Sequence, residues 1–93
     1  MAELIKDTGE VSMVAPANGK KFTLKELQGF VEGFIELVTL HDGRLMFLNE
    51  EGKYDPKIKH RLNMAASVYL QMAGGIPGDF VTGNVLICSK REA

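Results

Sequence analysis

Hydrophobic and polar positions define several short elements along the chain, and the strongest pattern lies in residues 34–49. Two runs rich in β-branched, aromatic and large aliphatic residues flank Asp42-Gly43. This dipeptide is typical of a two-residue type I′ turn, because both turn positions there need positive φ. The pattern predicts a β-hairpin, which we place at the centre of a sheet.

The predicted turn decides which side chains share a face of this hairpin. A two-residue turn pairs Leu40 with Leu45 and Val38 with Phe47. Side chains alternate along a strand, so each face carries its own apolar set. One set is Phe34, Val38, Leu40, Leu45 and Phe47, and the other is Ile35, Leu37, Met46 and Leu48. Because both faces are apolar, we expect helices to cover one face and a second cover, such as another subunit, to lie on the other.

The segment before the hairpin predicts a weaker hairpin and a helix. Residues 3–6 and 11–15 are strand-like runs separated by a short polar turn. Thr23 and Glu26 have the spacing of a capping box, in which each side chain accepts a hydrogen bond from the other residue's backbone. An apolar stripe at spacings of three and four follows, made of Leu24, Leu27, Phe30 and Val31. Gly33 is the predicted end of this helix.

Two positions compete as the start of a second helix. Asp55 followed by Pro56 has the pattern of a cap with proline at the first helical position, and it predicts a helix over residues 56–73. Asn63 is the other candidate cap, and it predicts a shorter helix over residues 64–73. In that case residues 57–61 form a connecting arm with positive charge. Either version of this second helix is predicted to end at Gly74-Gly75.

The final strand completes the predicted fold. Residues 85–88 are apolar at every position, as in a central strand, and Gly83-Asn84 before them is either a hairpin turn or a bulge. A tight turn at residues 76–79 leads into this region. No repeat or linker divides the chain. We therefore expect one α+β domain over residues 1–93, with a small mixed or antiparallel sheet and two helices in the order β-β-α-β-β-α-β.

Composition narrows the classes of function. The chain is 45% hydrophobic and 25% charged, with a net charge of −1, which gives no general attraction to nucleic acid or an anionic membrane. No apolar run approaches the ~20 residues of a membrane helix, and the amino terminus lacks the pattern of a signal peptide. We expect a cytoplasmic protein with no membrane partner, and nucleic-acid binding is disfavoured. The single Cys88 cannot close an internal disulfide, and its apolar neighbours predict burial.

Several motifs, taken in order, resemble the domain-of-unknown-function 3846 family of short proteins from phages, plasmids and other bacterial mobile elements. These motifs are Asp42-Gly43-Arg44-Leu45-Met46, Asn49-Glu50-Glu51-Gly52-Lys53, Asn63-Met64-Ala65-Ala66-Ser67, Gly75-Ile76-Pro77-Gly78-Asp79 and Gly83-Asn84-Val85-Leu86. The chain is longer than the family pattern between Gly52 and Asn63. The resemblance implies a mobile-element origin and a place in the host bacterial cytoplasm. It favours Asn63 over Asp55 as the cap, and it supplies no activity.

The residues that catalysis or metal binding requires do not form a recognisable motif. His41, His60 and Cys88 lack the spacing of metal ligands. Cys88 has no histidine at a motif spacing that could activate it as a nucleophile, and no phosphate-binding loop is present. We therefore favour a protein without enzymatic activity, metal or cofactor.

The start of the second helix is the predicted binding site. A helix start has unpaired amides and a partial positive charge that suit a phosphate or carboxylate. Asn63, Ser67 and Gln71 recur at i, i+4 and i+8 and predict a polar stripe. The alternative interpretation without a ligand is that this stripe is a solvent-facing helix surface. The candidate ligand-binding residues are Arg44, Asn49, His60, Arg61, Asn63, Ser67, Gly78 and Asp79.

Two functional hypotheses follow. The first is a non-enzymatic phage or mobile-element module that forms a homo-oligomer through the second apolar face of the sheet. It holds a small anionic ligand, such as a nucleotide-type signal of host defence, and thereby counters that defence. The alternative is a protein-interaction or regulatory accessory factor that binds a host protein through the same face.

Overall fold

A computed structural model describes residues 1–93 and shows five strands in one antiparallel sheet with two helices. The strands are β1 (Ala2–Ile5), β2 (Val11–Val14), β3 (Ile35–Thr39), β4 (Leu45–Asn49) and β5 (Val85–Cys88), and the helices are α1 (Leu24–Val31) and α2 (Met64–Met72). The predicted α+β fold and its element order are confirmed, and the sheet is antiparallel at every pairing.

The centre of the sheet is β5, not the predicted central hairpin. The strand order is β2-β1-β5-β4-β3, so β5 lies between β1 and β4. Every residue of β5 is buried, which confirms the prediction made from its uninterrupted apolar pattern. The placement of the β3–β4 hairpin at the centre is wrong for β3, because β4 pairs with β5 on its other side and leaves β3 at the edge.

The turn of this hairpin has three residues instead of two. The Leu40 amide donates to the Arg44 carbonyl at 2.8 Å, and the Gly43 amide donates to the Leu40 carbonyl at 2.9 Å. Gly43 has a φ of +89°, whereas Asp42 keeps a negative φ. A three-residue loop needs positive φ only at its last position, so it avoids the strain that a type I′ turn would impose on Asp42.

This turn shifts the strand pairing by one residue. Val38 pairs with Met46, not with Phe47, and Leu45 faces Thr39, not Leu40. A shift of one residue moves a strand's side chains to the opposite face relative to its partner. The predicted face sets are therefore wrong, since they combine side chains that the structure places on opposite sides of the sheet.

Each face of the sheet is covered by a helix of the same chain. On one face, Leu45, Phe47 and Leu86 pack with residues of α1, and on the other face the core includes Met46, Leu48 and residues of α2. Ile35 belongs to the first core, while Val38 and Leu40 belong to the second. The expectation that something outside this fold covers the second face is corrected, because α2 covers it.

The capping box of α1 is confirmed. The Glu26 amide donates to Thr23 Oγ1 at 3.1 Å, and the Thr23 amide donates to Glu26 Oε1 at 2.9 Å. Of the predicted stripe, Leu27 and Val31 are buried and Phe30 is half-buried, but Leu24 is exposed.

The end of α1 differs from the prediction. Glu32, not Gly33, takes the left-handed conformation, with a φ of +63°. Gly33 instead allows a close approach of the Asn49 side chain, because a Cβ at position 33 would lie 2.7 Å from its amide nitrogen.

The two candidate starts of α2 are resolved in favour of Asn63. Its Oδ1 accepts a hydrogen bond from the Ala66 amide at 3.0 Å, as a helix cap does. Asp55 begins a turn instead, and its carbonyl accepts from the amides of Ile58 and Lys59. Neither α1, with eight residues, nor α2, with nine, has the length and apolar character of a membrane-spanning helix.

The segment before β5 is a bend and not a strand. Thr82 forms an isolated antiparallel bridge with Leu62, and the Gly83 amide donates to the Arg61 carbonyl at 2.8 Å. Gly83 has a φ of +79°, which turns the chain between this bridge and β5. Gly83-Asn84 is therefore neither a hairpin turn nor a bulge in a continuous strand.

Candidate functional site

The residues predicted to bind a ligand do not gather at one place. Asn49, Asn63 and Ser67 form hydrogen bonds that hold elements of the fold together, and His60 is exposed on a turn. Arg44 lies at one surface pocket and Asp79 at another. No group of three His, Cys, Asp or Glu side chains is placed to hold a metal ion.

The side chain of Asn63 closes the start of α2 from within the protein. Only 1% of the residue is exposed. Its amide nitrogen donates to the carbonyls of Ile5 and Gly83 at 3.0 and 2.9 Å, while its oxygen caps the helix. Each polar atom of this side chain thus has a partner inside the fold, which assigns Asn63 a structural role.

Asn63 and Ser67 of the polar stripe of α2 face the protein, whereas Gln71 is exposed. Ser67 Oγ donates to the Asn63 carbonyl at 2.7 Å and accepts from the Val81 amide at 2.9 Å. Gln71 Nε2 donates to the carbonyls of Ile76 and Asp79 at 2.9 and 3.1 Å. These bonds fasten residues 76–81 to the helix.

The outward face of α2 is consequently apolar. Met64, Val68 and Met72, at i, i+4 and i+8, are 69%, 57% and 59% exposed. We call these three residues the α2 stripe. The interpretation of the polar stripe as a solvent-facing surface is wrong for Asn63 and Ser67, because they bond to backbone groups that only polar side chains can satisfy. It holds for Gln71, which is exposed.

The positive charge predicted near the start of α2 is partly neutralised. Arg61 Nε donates to Asp7 Oδ2 at 2.6 Å, and its Nη2 donates to Glu32 Oε2 at 2.9 Å. The hydrogen bond to Glu32, ahead of that to Asp7, raises the pKa of the guanidinium. Arg61 therefore links the arm before α2 to the segments that follow β1 and α1.

Asn49 is likewise occupied by the fold. It is 4% exposed. Its Nδ2 donates to the Val31 carbonyl at 3.0 Å, and its Oδ1 accepts from the Glu51 amide at 2.8 Å. The side chain joins the end of α1 to the turn after β4, and Asn49 also lines the surface pocket that contains Asp79.

A pocket of about 220 Å³ lies between the β3–β4 turn and α2. We call it the turn pocket; its lining residues are Leu40, His41, Asp42, Arg44, Tyr69 and Met72. Arg44 Nε donates to Asp42 Oδ2 at 2.8 Å, and its guanidinium carbon lies 5.7 Å from the centre of the Tyr69 ring. The hydrogen bond to Asp42 raises the pKa of Arg44, and the Arg44 backbone amide lowers the pKa of Asp42.

A second pocket, of about 230 Å³, lies between the β3–β4 edge and residues 79–82. We call it the acidic pocket because Glu36, Glu50 and Asp79 line it. Lys53 Nζ donates to Asp79 Oδ1, and this bond, ahead of the one from the Phe80 amide, lowers the pKa of Asp79. The neighbouring Gly78 has a φ of +87° and is exposed.

Sequence reasoning missed most of the residues that line these pockets. The contact of Tyr69 with Arg44 depends on the placement of α2 over the β3–β4 turn, which no local pattern predicts. Lys53 and Asp79 are 26 positions apart, and no local pattern links them. His41 next to Asp42-Gly43-Arg44 was visible as a charged turn, and this was the only local signal for the turn pocket.

Comparison with known proteins agrees with the resemblance noted in the sequence. Residues 3–93 match the family described as Domain of unknown function (DUF3846). The chain belongs to this family. The match covers essentially the whole chain and extends beyond the motifs at both ends. Searches of curated proteins and of solved structures found no match.

Proposed function

We propose that this chain is a non-enzymatic binding module of a phage or mobile element, and that it acts in the host bacterial cytoplasm. In this proposal it holds a small anionic ligand of the nucleotide type in the turn pocket and sequesters it from host defence. The observation that carries the proposal is the Arg44 guanidinium over the Tyr69 ring, 5.7 Å from its centre, at the wall of a pocket. A cation beside an aromatic ring suits a phosphate attached to a flat base.

The turn pocket retains hydrogen-bonding capacity for such a ligand. A guanidinium has five N–H donors, and Asp42 accepts from the Nε–H of Arg44. The terminal amino groups can therefore meet a phosphate in a two-pronged contact. His41, which is exposed on the same wall, adds a further donor. Leu40 and Met72 supply apolar surface for the base.

The proposal is tested by calorimetric titration with cyclic nucleotides and ADP-ribose derivatives. We expect Arg44→Gln to weaken binding about tenfold or more, because a hydrogen bond between charged groups contributes roughly 1.5–3 kcal/mol. Arg91→Gln removes the same charge from an exposed position outside the pocket and is the matched control. Absence of heat with every ligand contradicts the proposal, and so does an equal loss in both variants.

The α2 stripe supports a proposal about self-association. Residues 62–78 contain no charged side chain, so two copies can meet there without removing a charge from water. In an antiparallel pair related by a two-fold axis, Met64 lies opposite Met72, and Val68 lies opposite its own counterpart. This surface takes the place of the sheet face, which α2 already covers.

The same stripe favours the second candidate function, an accessory factor that binds a host protein. Light scattering distinguishes the two occupants. We expect the native chain to be a dimer and Val68→Glu to be a monomer, whereas Leu24→Glu, at an exposed apolar position of α1, leaves the dimer intact. A native monomer rules out the pairing of two copies. Binding to a purified host protein that Val68→Glu abolishes then selects the accessory factor.

A further inference from the structure

The acidic pocket already holds an ammonium group of the protein itself. Lys53 Nζ donates to the Asp79 carboxylate and lies 5.1 Å from the centre of the Phe80 ring. A carboxylate and an aromatic face are the two kinds of group that recognise an ammonium ion. Both side chains of this contact remain partly exposed, with 41% of Lys53 and 29% of Asp79 accessible. The contact is therefore exchangeable, since an exposed ion pair contributes little to stability.

The wall of the same pocket contains a polar atom that the fold leaves without a partner. Thr82 is 3% exposed, and its Oγ1 makes no hydrogen bond. Buried hydroxyl groups in native proteins almost always have a partner, so one without a partner at a pocket wall points to a ligand. Gly52 packs against this hydroxyl, and a Cβ at Gly52 would lie 2.7 Å from it.

Charge and shape together indicate the class of ligand. Glu36, Glu50 and Asp79 bring three carboxylates to the pocket, whereas Lys53 is the one cationic side chain in its lining. Other parts of the wall are apolar and include Leu48 and Leu70. Carboxylates around an apolar surface match a chain of methylene groups that ends in ammonium groups.

We propose that the acidic pocket binds an aliphatic polyamine, and that Lys53 competes with this ligand by holding the ammonium position beside Asp79 and Phe80. The polyamine displaces the Lys53 ammonium, and its methylene groups pack on the apolar wall. The acidic pocket shares no lining residue with the turn pocket. The inference is therefore independent of the nucleotide proposal.

Calorimetric titration of the full chain with spermidine and with putrescine at fixed salt tests the inference. We expect Lys53→Met to bind roughly two- to fivefold more tightly than the native chain, because it removes the competing ammonium and keeps an apolar side chain. Asp79→Asn is expected to lose the binding. The direction of the Lys53 effect is diagnostic, since a lysine that contributed to folding of the pocket would weaken binding when removed.

Matched variants separate this mechanism from general attraction between a polyamine and an acidic protein. Lys57→Met changes the net charge as Lys53→Met does, but at an exposed position outside the pocket, and it is expected to leave the affinity unchanged. Glu10→Gln is the matched control for Asp79→Asn, because it removes one carboxylate charge in the same way. The inference is overturned when neither the native chain nor Lys53→Met shows heat of binding. It is also overturned when Lys53→Met and Lys57→Met tighten binding equally. Circular dichroism verifies that each variant is folded.

Discussion

The side-chain amide of Asn63 donates to the backbone carbonyl of Ile5 at 3.0 Å, across 58 positions of the chain. The same nitrogen reaches the Gly83 carbonyl, so one side chain joins the end of β1, the start of α2 and the bend before β5. These partners are buried, and a buried carbonyl that loses its donor costs about 1–3 kcal/mol. Asn63 thus secures one end of the sheet as well as the helix.

Replacing Asn63 is therefore expected to cost more than the loss of a helix cap. Asn63→Ala removes the cap, at about 1 kcal/mol, and leaves two buried carbonyls without a donor. We expect the free energy of unfolding in urea to fall by about 3 kcal/mol or more. Asn63→Asp keeps the capping oxygen but points a carboxylate at both carbonyls, so it should also destabilise. Native stability of Asn63→Asp would show that the amide bonds contribute little.

Two glycine substitutions are expected to change stability in opposite directions. An alanine Cβ at Gly52 would lie 2.7 Å from Thr82 Oγ1 and 3.2 Å from the Asn49 carbonyl oxygen. Gly52→Ala should therefore lower the free energy of unfolding by about 1–3 kcal/mol through overpacking. At Gly29, inside α1, a Cβ meets nothing within 4 Å. Gly29→Ala should raise stability by about 0.5–1 kcal/mol. Equal effects in urea unfolding would contradict the described packing.

Stability should decline in acid because the fold favours ionised carboxylates. The backbone amide of Thr23, followed by that of Ala17, lowers the pKa of Glu26, and Lys53 lowers the pKa of Asp79. A carboxyl whose pKa is lower in the folded state stabilises the protein above its unfolded pKa, and this effect is lost as pH falls through the folded pKa. The melting temperature should therefore be steady from neutral pH to about pH 5 and fall below about pH 4.

The Glu26 part of this acid response can be measured by substitution. Glu26→Gln removes the ionised member of the capping box, so the fall in melting temperature with pH should be shallower than in the native chain. Glu51→Gln removes an exposed carboxylate whose side chain makes no hydrogen bond, and it serves as the control. Parallel curves for the native chain and Glu26→Gln would contradict the assignment.

The thiol of Cys88 should be unreactive in the folded protein. Cys88 is 2% exposed, and burial, with a smaller effect from Glu92, raises the pKa of its thiol to about 11. Because the thiolate is the reactive species, a disulfide reagent at pH 8 should modify Cys88 only as fast as the protein unfolds. Reaction in urea should reveal one thiol per chain, and rapid full reaction without denaturant would refute the burial of this side chain.

The elements that depend on neighbouring residues were predictable from the sequence. Three such elements depend on only a few adjacent residues, and all three are present in the structure. They are the Thr23–Glu26 capping box, the β3–β4 hairpin and the apolar β5 strand. The hairpin turn was predictable in place but not in length, because Asp42-Gly43 fits a two-residue turn and also the last two positions of a three-residue turn. That difference of one residue reversed the predicted faces.

By itself, the sequence determined the element types, their order and the start of α1, because caps, turns and apolar periodicity act over a few residues. It left Asp55 and Asn63 as two candidate starts of α2. Only the tertiary structure decided that β3 lies at the edge of the sheet, that Ser67 faces inward, and that Lys53 meets Asp79. These outcomes depend on contacts between residues far apart in the chain. Whether a polar side chain such as Ser67 faces solvent or the interior depends on whether a distant segment places a backbone group beside it, as Val81 does here. The periodicity of the helix itself contains no information about that segment.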